Sequence, residues 1–215
     1  MPRPRTRLLL ALLAAFVLAG CAGTAVERTS GAPNLYERGL DRFQRRDFYE
    51  SIKIFEELIR DYPGSELIDD AIYHLGRSYL ENDDYALAVS EFDRLATDYP
   101  ESPYVAEADF YTGECYFRQM RSPQYDPEMT EQALSRFRRF IRLHPDHALR
   151  AEAETRITRC REWLAEKNIV AARQYEKLGH RDSARIYYQK VLDEYADTRW
   201  AAEAEKRLRA LGDGS

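Results

Sequence analysis

The chain repeats itself with a period of 37 residues, and this periodicity constrains its fold more than any other feature of the sequence. Gly39, Gly76 and Gly113 are each 37 residues apart. The segment Asp61-Tyr62-Pro63 recurs as Asp98-Tyr99-Pro100 at the same offset. One offset shared by many positions is typical of stacked supersecondary units, each of which buries its apolar face against its neighbours. The sequence therefore predicts a repeat array.

Each repeat contains two helical patterns. In the second repeat, apolar residues recur every three or four positions over residues 72–80 and again over residues 88–95. Asn82-Asp83-Asp84 separates the two runs of apolar residues. Pro100 follows the second run, where a helix is expected to stop. We therefore expect an all-α fold made of helix pairs.

The spacing of small and large residues resembles the tetratricopeptide repeat. The second repeat matches that pattern best, with Ile72, Leu75, Gly76, Tyr79, Ala88, Phe92 and Pro100. The resemblance implies a right-handed superhelical solenoid of about four helix pairs followed by a C-terminal capping helix.

The later repeats depart from the regular pattern. Extra residues in the third repeat predict a loop around Arg121 to Thr130 between its two helices. After it, periodic apolar residues predict one long helix from His147 to about Leu178, with Gly179 as its stop signal. Its partner helix is expected from Ser183 to Glu194, and the capping helix from about Arg199 to Leu211.

The first twenty residues have the pattern of a secretory signal peptide. Three arginines precede an apolar run over residues 8–19, which is too short to span a bilayer. The run ends in Leu18-Ala19-Gly20-Cys21, which resembles the lipobox of bacterial lipoproteins. We expect cleavage before Cys21 and lipidation of its thiol. Ala22, in place of Asp, implies by the same resemblance anchoring at the periplasmic face of the outer membrane.

The chain therefore divides into three parts. Residues 1–20 are the signal peptide. Residues 21–33 are the lipidated N-terminus and a flexible tether of small and polar residues. Residues 34–212 are the repeat domain.

Composition narrows the possible functions. Asp and Glu outnumber Lys and Arg by 37 to 32, and a net charge of −5 disfavours a nucleic-acid partner. Catalytic Ser-His-Asp signatures, Gly-rich phosphate loops and metal-ligand spacings are absent from the sequence. We therefore expect no catalysis, no cofactor and no metal. Cys115 and Cys160 lie on apolar faces of neighbouring helices and are expected as buried free thiols, with a disulfide as the alternative.

The first helices of the repeats carry a column of aromatic and apolar side chains. These positions face away from the second helix of each pair and could form a groove for an extended or helical peptide. The alternative is that they pack between adjacent first helices. The candidate groove residues are Tyr36, Leu40, Phe43, Tyr73, Arg77, Leu80, Phe110, Glu114 and Phe117.

Arginine-rich helix faces form a second candidate surface. Charged faces of surface helices are usually just solvated, and the alternative is a docking face for an acidic partner domain. The candidate docking residues are Arg138, Arg142, Arg150 and Arg156.

The whole pattern is similar to the BamD family of outer-membrane β-barrel assembly lipoproteins. A lipobox, a short tether, Tyr-Pro repeat ends, an insert in the third repeat and a long fourth-repeat helix carry the resemblance. So do the segments Phe137-Arg138-Arg139-Phe140-Ile141 and Tyr187-Tyr188-Gln189-Lys190-Val191-Leu192. Longer members complete a fifth repeat, of which this sequence has one helix.

The resemblance implies a non-enzymatic scaffold. It would bind the POTRA domains of the β-barrel insertase, act beside other assembly lipoproteins and help to deliver unfolded outer-membrane proteins. One alternative is a repeat lipoprotein that coordinates cell-wall synthesis or envelope constriction. Another is an envelope enzyme with helical repeats, such as a wall hydrolase.

Overall fold

A computed structural model describes residues 31–120, 122 and 127–212. The predicted signal peptide, Cys21, tether residues 22–30, and residues 121 and 123–126 of the predicted loop lie outside this part of the chain. All regular secondary structure in the described part is α-helical. The helices are α1 (31–44), α2 (Phe48–Asp61), α3 (Ile68–Glu81), α4 (Tyr85–Asp98), α5 (Val105–Arg118), α6 (Glu128–Leu143), α7 (Arg150–Lys177), α8 (Arg181–Glu194) and α9 (Ala201–Gly212).

The described residues form two compact units, divided between Asp83 and Asp84. In the first unit, α2 packs against α3, and the Tyr36 ring of α1 meets the Phe55 ring of α2 edge-on at 6.0 Å. In the second unit, each helix from α4 to α9 packs on the next, and α5 also contacts α7. Short turns join these neighbours, apart from α5 and α6, as expected of helical hairpins.

In the pairs α1–α2 and α5–α6, a glycine of the first helix lies against a phenylalanine of the second. A Cβ atom at Gly39 would lie 2.8 Å from the Phe55 ring, and one at Gly113 would lie 2.9 Å from the Phe137 ring. Both distances are below van der Waals contact, so only glycine allows this approach. The contact is the one that the tetratricopeptide spacing predicts, and the predicted all-α tetratricopeptide-type fold is confirmed.

The turns between paired helices also repeat. Arg46, Asp83 and Gly179 each precede the N-cap of the following helix, and each has a positive φ, of 62°, 64° and 78°. The third repeat differs here, because its extra residues occupy the corresponding position.

The long helix α7 runs without a break, as the sequence predicts. Its 28 residues span about 42 Å. It ends where expected, because the backbone N–H of His180 donates to Tyr175 O at 2.9 Å across Gly179. Among the described helices, none has the length and hydropathy needed to cross a bilayer.

Some predicted boundaries were wrong. Residues 31–33, assigned to the tether, are helical, and Ala32 is fully buried. Residues 128–130, assigned to the loop, form the first turn of α6. Polar composition suggested irregular structure at both places, but packing of the adjoining helix extends it by a few residues.

Candidate functional site

The first unit gathers aromatic side chains around His74. The ring centroids of Tyr36, Phe43 and Phe55 lie 5.8, 6.1 and 5.7 Å from that of the imidazole. Burial, and secondarily the charge of Arg77, lowers the pKa of His74 to about 4. The imidazole is therefore neutral near pH 7 and packs as one more aromatic ring.

The predicted groove residues of the first unit differ in accessibility. Tyr73 is 4% exposed and Leu80 is fully buried, so the prediction that these two line a groove was wrong. The reason is that α3 buries residues around most of its circumference, and the pattern could not separate packing positions from surface positions. The remaining four are half-buried and reach the surface: Tyr36, Leu40, Phe43 and Arg77.

Phe110, in the second unit, is a core residue. It is 2% exposed, and its ring lies 5.4 Å from Phe137 and 5.5 Å from Phe140. Its assignment to a groove was wrong because the helices of one pair close over it.

Glu114 was also wrongly assigned to the groove. It is 7% exposed, and its carboxylate accepts a hydrogen bond from Arg156 Nε at 2.8 Å. Arg156 donates further to Glu152 at 2.9 Å, and its guanidinium lies 4.9 Å from the Phe117 ring. Arg159 lies 5.6 Å from the same ring. Phe117 is thus half-buried and has two guanidinium groups near its ring.

Two of the four candidate docking arginines are bound within the second unit. Arg156 is engaged as described, and its hydrogen bond to Glu114 raises its pKa. Arg150 Nε donates to Glu154 at 3.0 Å, and another of its nitrogens donates to Pro145 O at 3.0 Å. Neighbouring acceptors therefore hold donors of both side chains, and a docking role for these two arginines stays a prediction.

The other two arginines lie in a depression of about 540 Å³. One wall is α6, the opposite side is the α8–α9 turn, and α7 contributes to the floor. We call this depression the α6 groove. Its lining residues are Glu131, Leu134, Ser135, Arg138, Arg139, Arg142, Leu164 and Tyr195.

The α6 groove carries unbalanced positive charge. Arg138 and Arg142 are exposed, and neither forms an ion pair within the described part of the chain. Arg139 lies 3.3 Å from Asp109, a carboxylate that also lies 3.3 Å from His144. Glu131 contributes the one negative charge of the lining.

Tyr195 is held firmly at the far side of the groove. The Arg161 guanidinium lies 5.4 Å from its ring, forms an ion pair with Asp197 and donates to Glu194 O at 2.8 Å. This pairing raises the pKa of Arg161 and lowers that of Asp197, to which the more distant charge of Arg138 adds a smaller effect. Sequence reasoning missed Tyr195 and Leu164, although Tyr195 occupies the Tyr position of the Tyr-Pro repeat ends and that signal was available.

The two thiols of the second unit are not reactive groups. Cys115 and Cys160 are free and fully buried. Burial raises the pKa of each to about 12, so almost no thiolate forms near pH 7. Among the described residues, no cluster of three or more His, Cys, Asp or Glu side chains could hold a metal ion.

Helix pairs in which a glycine packs on a phenylalanine define a helical-repeat protein of the tetratricopeptide class. The surface of this protein has depressions suited to contact with other molecules. The family described as outer membrane lipoprotein, YfiO, matches residues 29–211. The chain belongs to this family.

Two further comparisons give named relatives. The chain is 31% identical over 211 residues to the outer membrane protein assembly factor BamD of Caulobacter vibrioides, covering 96% of this chain and 69% of that protein. It is also similar to the crystal structure of TTC0263, a thermophilic TPR protein of Thermus thermophilus, with 18% identity and a TM-score of 0.46. That likeness covers 84% of this chain and 98% of the other.

Proposed function

We propose that this chain is a scaffold subunit of the machinery that inserts β-barrel proteins into the outer membrane. It binds the POTRA region of the barrel insertase and other assembly lipoproteins, and it helps to deliver unfolded outer-membrane proteins. The observation that carries this proposal is the family match across nearly the whole helical body, together with the relative named as an assembly factor. The chain acts by binding alone and needs no cofactor.

The lipid anchor is part of the proposal. Cys21 in its lipobox would carry the acyl chains and hold the chain at the periplasmic face of the outer membrane. Two or more acyl chains give stable attachment, whereas a single chain gives marginal, reversible binding. Attachment keeps the scaffold beside the insertase.

Client binding is assigned to half-buried aromatic side chains of the first unit. Tyr36 and Phe43 reach the surface beside Leu40 and Arg77, and the Arg77 guanidinium lies 5.7 Å from the Phe43 ring. Complete burial of one large apolar side chain contributes roughly 1.5–3 kcal/mol. A few such contacts give weak, reversible binding after the costs of association, as a protein that passes its client onward requires.

Partner docking is assigned to the second unit, through Arg138 and Arg142 of the α6 groove. Two exposed guanidinium groups without an internal carboxylate in hydrogen-bond contact offer bidentate hydrogen bonds to acidic side chains of a partner.

Co-purification tests the proposal. The full-length lipoprotein, tagged at its C-terminus, is extracted from membranes in mild detergent, and the recovered proteins are identified by mass spectrometry. We expect a large outer-membrane β-barrel protein with POTRA domains in near-equimolar amount. Recovery of cell-wall synthesis or envelope-constriction proteins in its place would contradict the proposal.

A pair of matched variants tests the docking residues. Arg138→Glu with Arg142→Glu is expected to reduce recovery of the barrel at least tenfold. Arg185→Glu with Lys190→Glu makes the same charge change at two exposed cations of α8 and is expected to leave recovery unchanged. An equal loss in both would point to net charge alone.

A further inference from the structure

We infer that the α6 groove binds a short extended acidic segment of a partner polypeptide, in which one large apolar side chain is followed by carboxylates. The apolar side chain lies on Leu164 and Tyr195, and the carboxylates pair with Arg138 and Arg142. The inference deepens the proposed function and rests on it for the kind of partner, a protein of the assembly machinery.

The shape of the groove selects an extended segment. Glu131, Ser135, Arg138 and Arg142 recur every three or four residues and so share one side of α6 over about 16 Å. That length accommodates about five residues of extended chain. A helix of the same length and about 10 Å across has roughly twice the volume of the 540 Å³ depression, so much of it would lie outside.

The charge of the groove selects an acidic segment. Arg138 and Arg142 have no ion pair within the described part of the chain, whereas Arg139 is bound to Asp109. On a convex helix face such charges are simply hydrated. Here they line a concavity with an apolar floor, where the field is more focused than on a convex face and a carboxylate gains more from pairing. Glu131 lies one turn before Ser135, so acidic residues are expected only at the Arg142 end of the segment.

The floor of the groove selects an apolar side chain. Leu134, Leu164 and Tyr195 are 8%, 4% and 9% exposed, so the bottom of the depression is apolar and well packed. Arg161 lies 5.4 Å from the Tyr195 ring and is tied to Asp197, which fixes the ring before any ligand arrives. A preformed surface loses little conformational entropy on binding. An acidic segment without an apolar side chain would make no contact with this apolar floor.

Fluorescence anisotropy with defined peptides tests the inference on the detergent-solubilised full-length lipoprotein. The probes are the dye-labelled peptides SGFDEDS, its apolar-free counterpart SGSDEDS and its charge-reversed counterpart SGFKKKS. We expect micromolar binding of the first and at least tenfold weaker binding of the other two. Arg138→Glu with Arg142→Glu should weaken the first at least tenfold, and Ser135→Trp, which fills the groove without changing charge, should do the same. Arg185→Glu with Lys190→Glu should change it less than twofold.

Three results would overturn the inference. Equal binding of SGFDEDS and SGSDEDS would reduce the groove to a general anion surface. Unchanged peptide affinity in a Ser135→Trp variant with native circular dichroism would place the contact elsewhere. Absence of peptide binding, with sedimentation on phosphatidylglycerol vesicles that needs Arg138 and Arg142, would make the ligand a membrane. If no peptide binds in the groove and the barrel still co-purifies, the inference fails and the proposed function is retained. If the peptide binds and no barrel is recovered, the proposed function fails.

Discussion

At the scale of single residues, Gly39 of α1 and Gly113 of α5 are each required by the phenylalanine ring that they touch. A methyl group at Gly113 would lie 2.9 Å from the Phe137 ring, and that ring is itself fully buried against Phe110. Overpacking of this kind costs about 1–3 kcal/mol, of which better helix propensity returns about 1 kcal/mol. We therefore expect Gly113→Ala to lower the free energy of unfolding by about 1 kcal/mol in urea titrations.

The matched control is Gly64→Ala, since no atom lies within 4 Å of a Cβ placed there. This variant should be as stable as the wild type or slightly more stable, because alanine restricts the unfolded chain. If Gly113→Ala proves as stable as Gly64→Ala, the close approach of the two helices does not depend on glycine.

His74 makes the first unit sensitive to acid. Its pKa is about 4 in the folded chain and 6.5 ordinarily, so the unfolded state binds more protons between these values. Stability is therefore full above pH 6.5 and falls as the pH drops toward 4, by up to about 3 kcal/mol. His74→Phe keeps a ring in place and cannot titrate, so we expect urea titrations of this variant to lose less stability over that interval. Parallel pH profiles for the two proteins would contradict this account.

The same residue scale limits what a sequence can say about a binding surface. Tyr36 and Tyr73 occupy equivalent positions 37 residues apart, yet one reaches the surface and the other is core. The repeat pattern assigns both to one column, and only their surroundings decide which is accessible. Arg138 and Arg156 are likewise indistinguishable as exposed-face arginines until Glu114 is placed beside one of them.

At the scale of elements, local periodicity predicts well and distant contacts do not. Helix α7 was predicted from residue 147 to about 178 and runs from Arg150 to Lys177, because an apolar stripe and a glycine stop are local signals. The α6 groove could not be assembled in the same way. Its wall and its Tyr195 side come from elements more than fifty residues apart, which meet only because α6, α7 and α8 pack in sequence.

Ion pairs help to fasten helix α9 and the turn before it to α7, beside the apolar contacts of Ala204 and Leu211. Arg173 donates to both carboxylate oxygens of Glu203, at 2.8 and 2.7 Å, and the backbone N–H of Arg199 donates to Glu162 at 2.9 Å. The Arg173 and Arg199 guanidinium groups lie 5.8 and 4.8 Å from the centroid of the Trp200 ring. Salt screens partly exposed pairs, and the Debye length is only about 3 Å at 1 M.

We therefore expect 1 M sodium chloride to loosen α9 before the rest of the second unit. In a Trp163→Phe background, Trp200 is the single tryptophan of the chain, and its emission should move to longer wavelength while most helical circular dichroism remains. Sorbitol of equal osmolality is the control and should have no effect. If the wavelength of Trp200 emission does not change until the whole domain unfolds, the apolar contacts of Ala204 and Leu211 hold α9 in place without the ion pairs.

At the scale of the whole molecule, attachment to the membrane and attachment to a partner are separable. The lipid anchor is predicted from Cys21 and its lipobox, whereas partner docking is assigned to arginines of the second unit. Two linked attachments act together, because the first raises the local concentration for the second. Each should therefore retain part of the protein when the other is removed.

Cys21→Ser tests this coupling. Without a thiol to acylate, the protein should no longer incorporate radiolabelled palmitate. Part of the protein should still remain in the outer-membrane pellet, because the partner alone holds it there. Adding Arg138→Glu and Arg142→Glu should release that remainder, whereas adding Arg185→Glu and Lys190→Glu should not. If Cys21→Ser alone releases all of the protein, the partner contact depends on the anchor for its local concentration. If palmitate incorporation persists in Cys21→Ser, the lipobox prediction is wrong, and attachment must arise from another part of the chain.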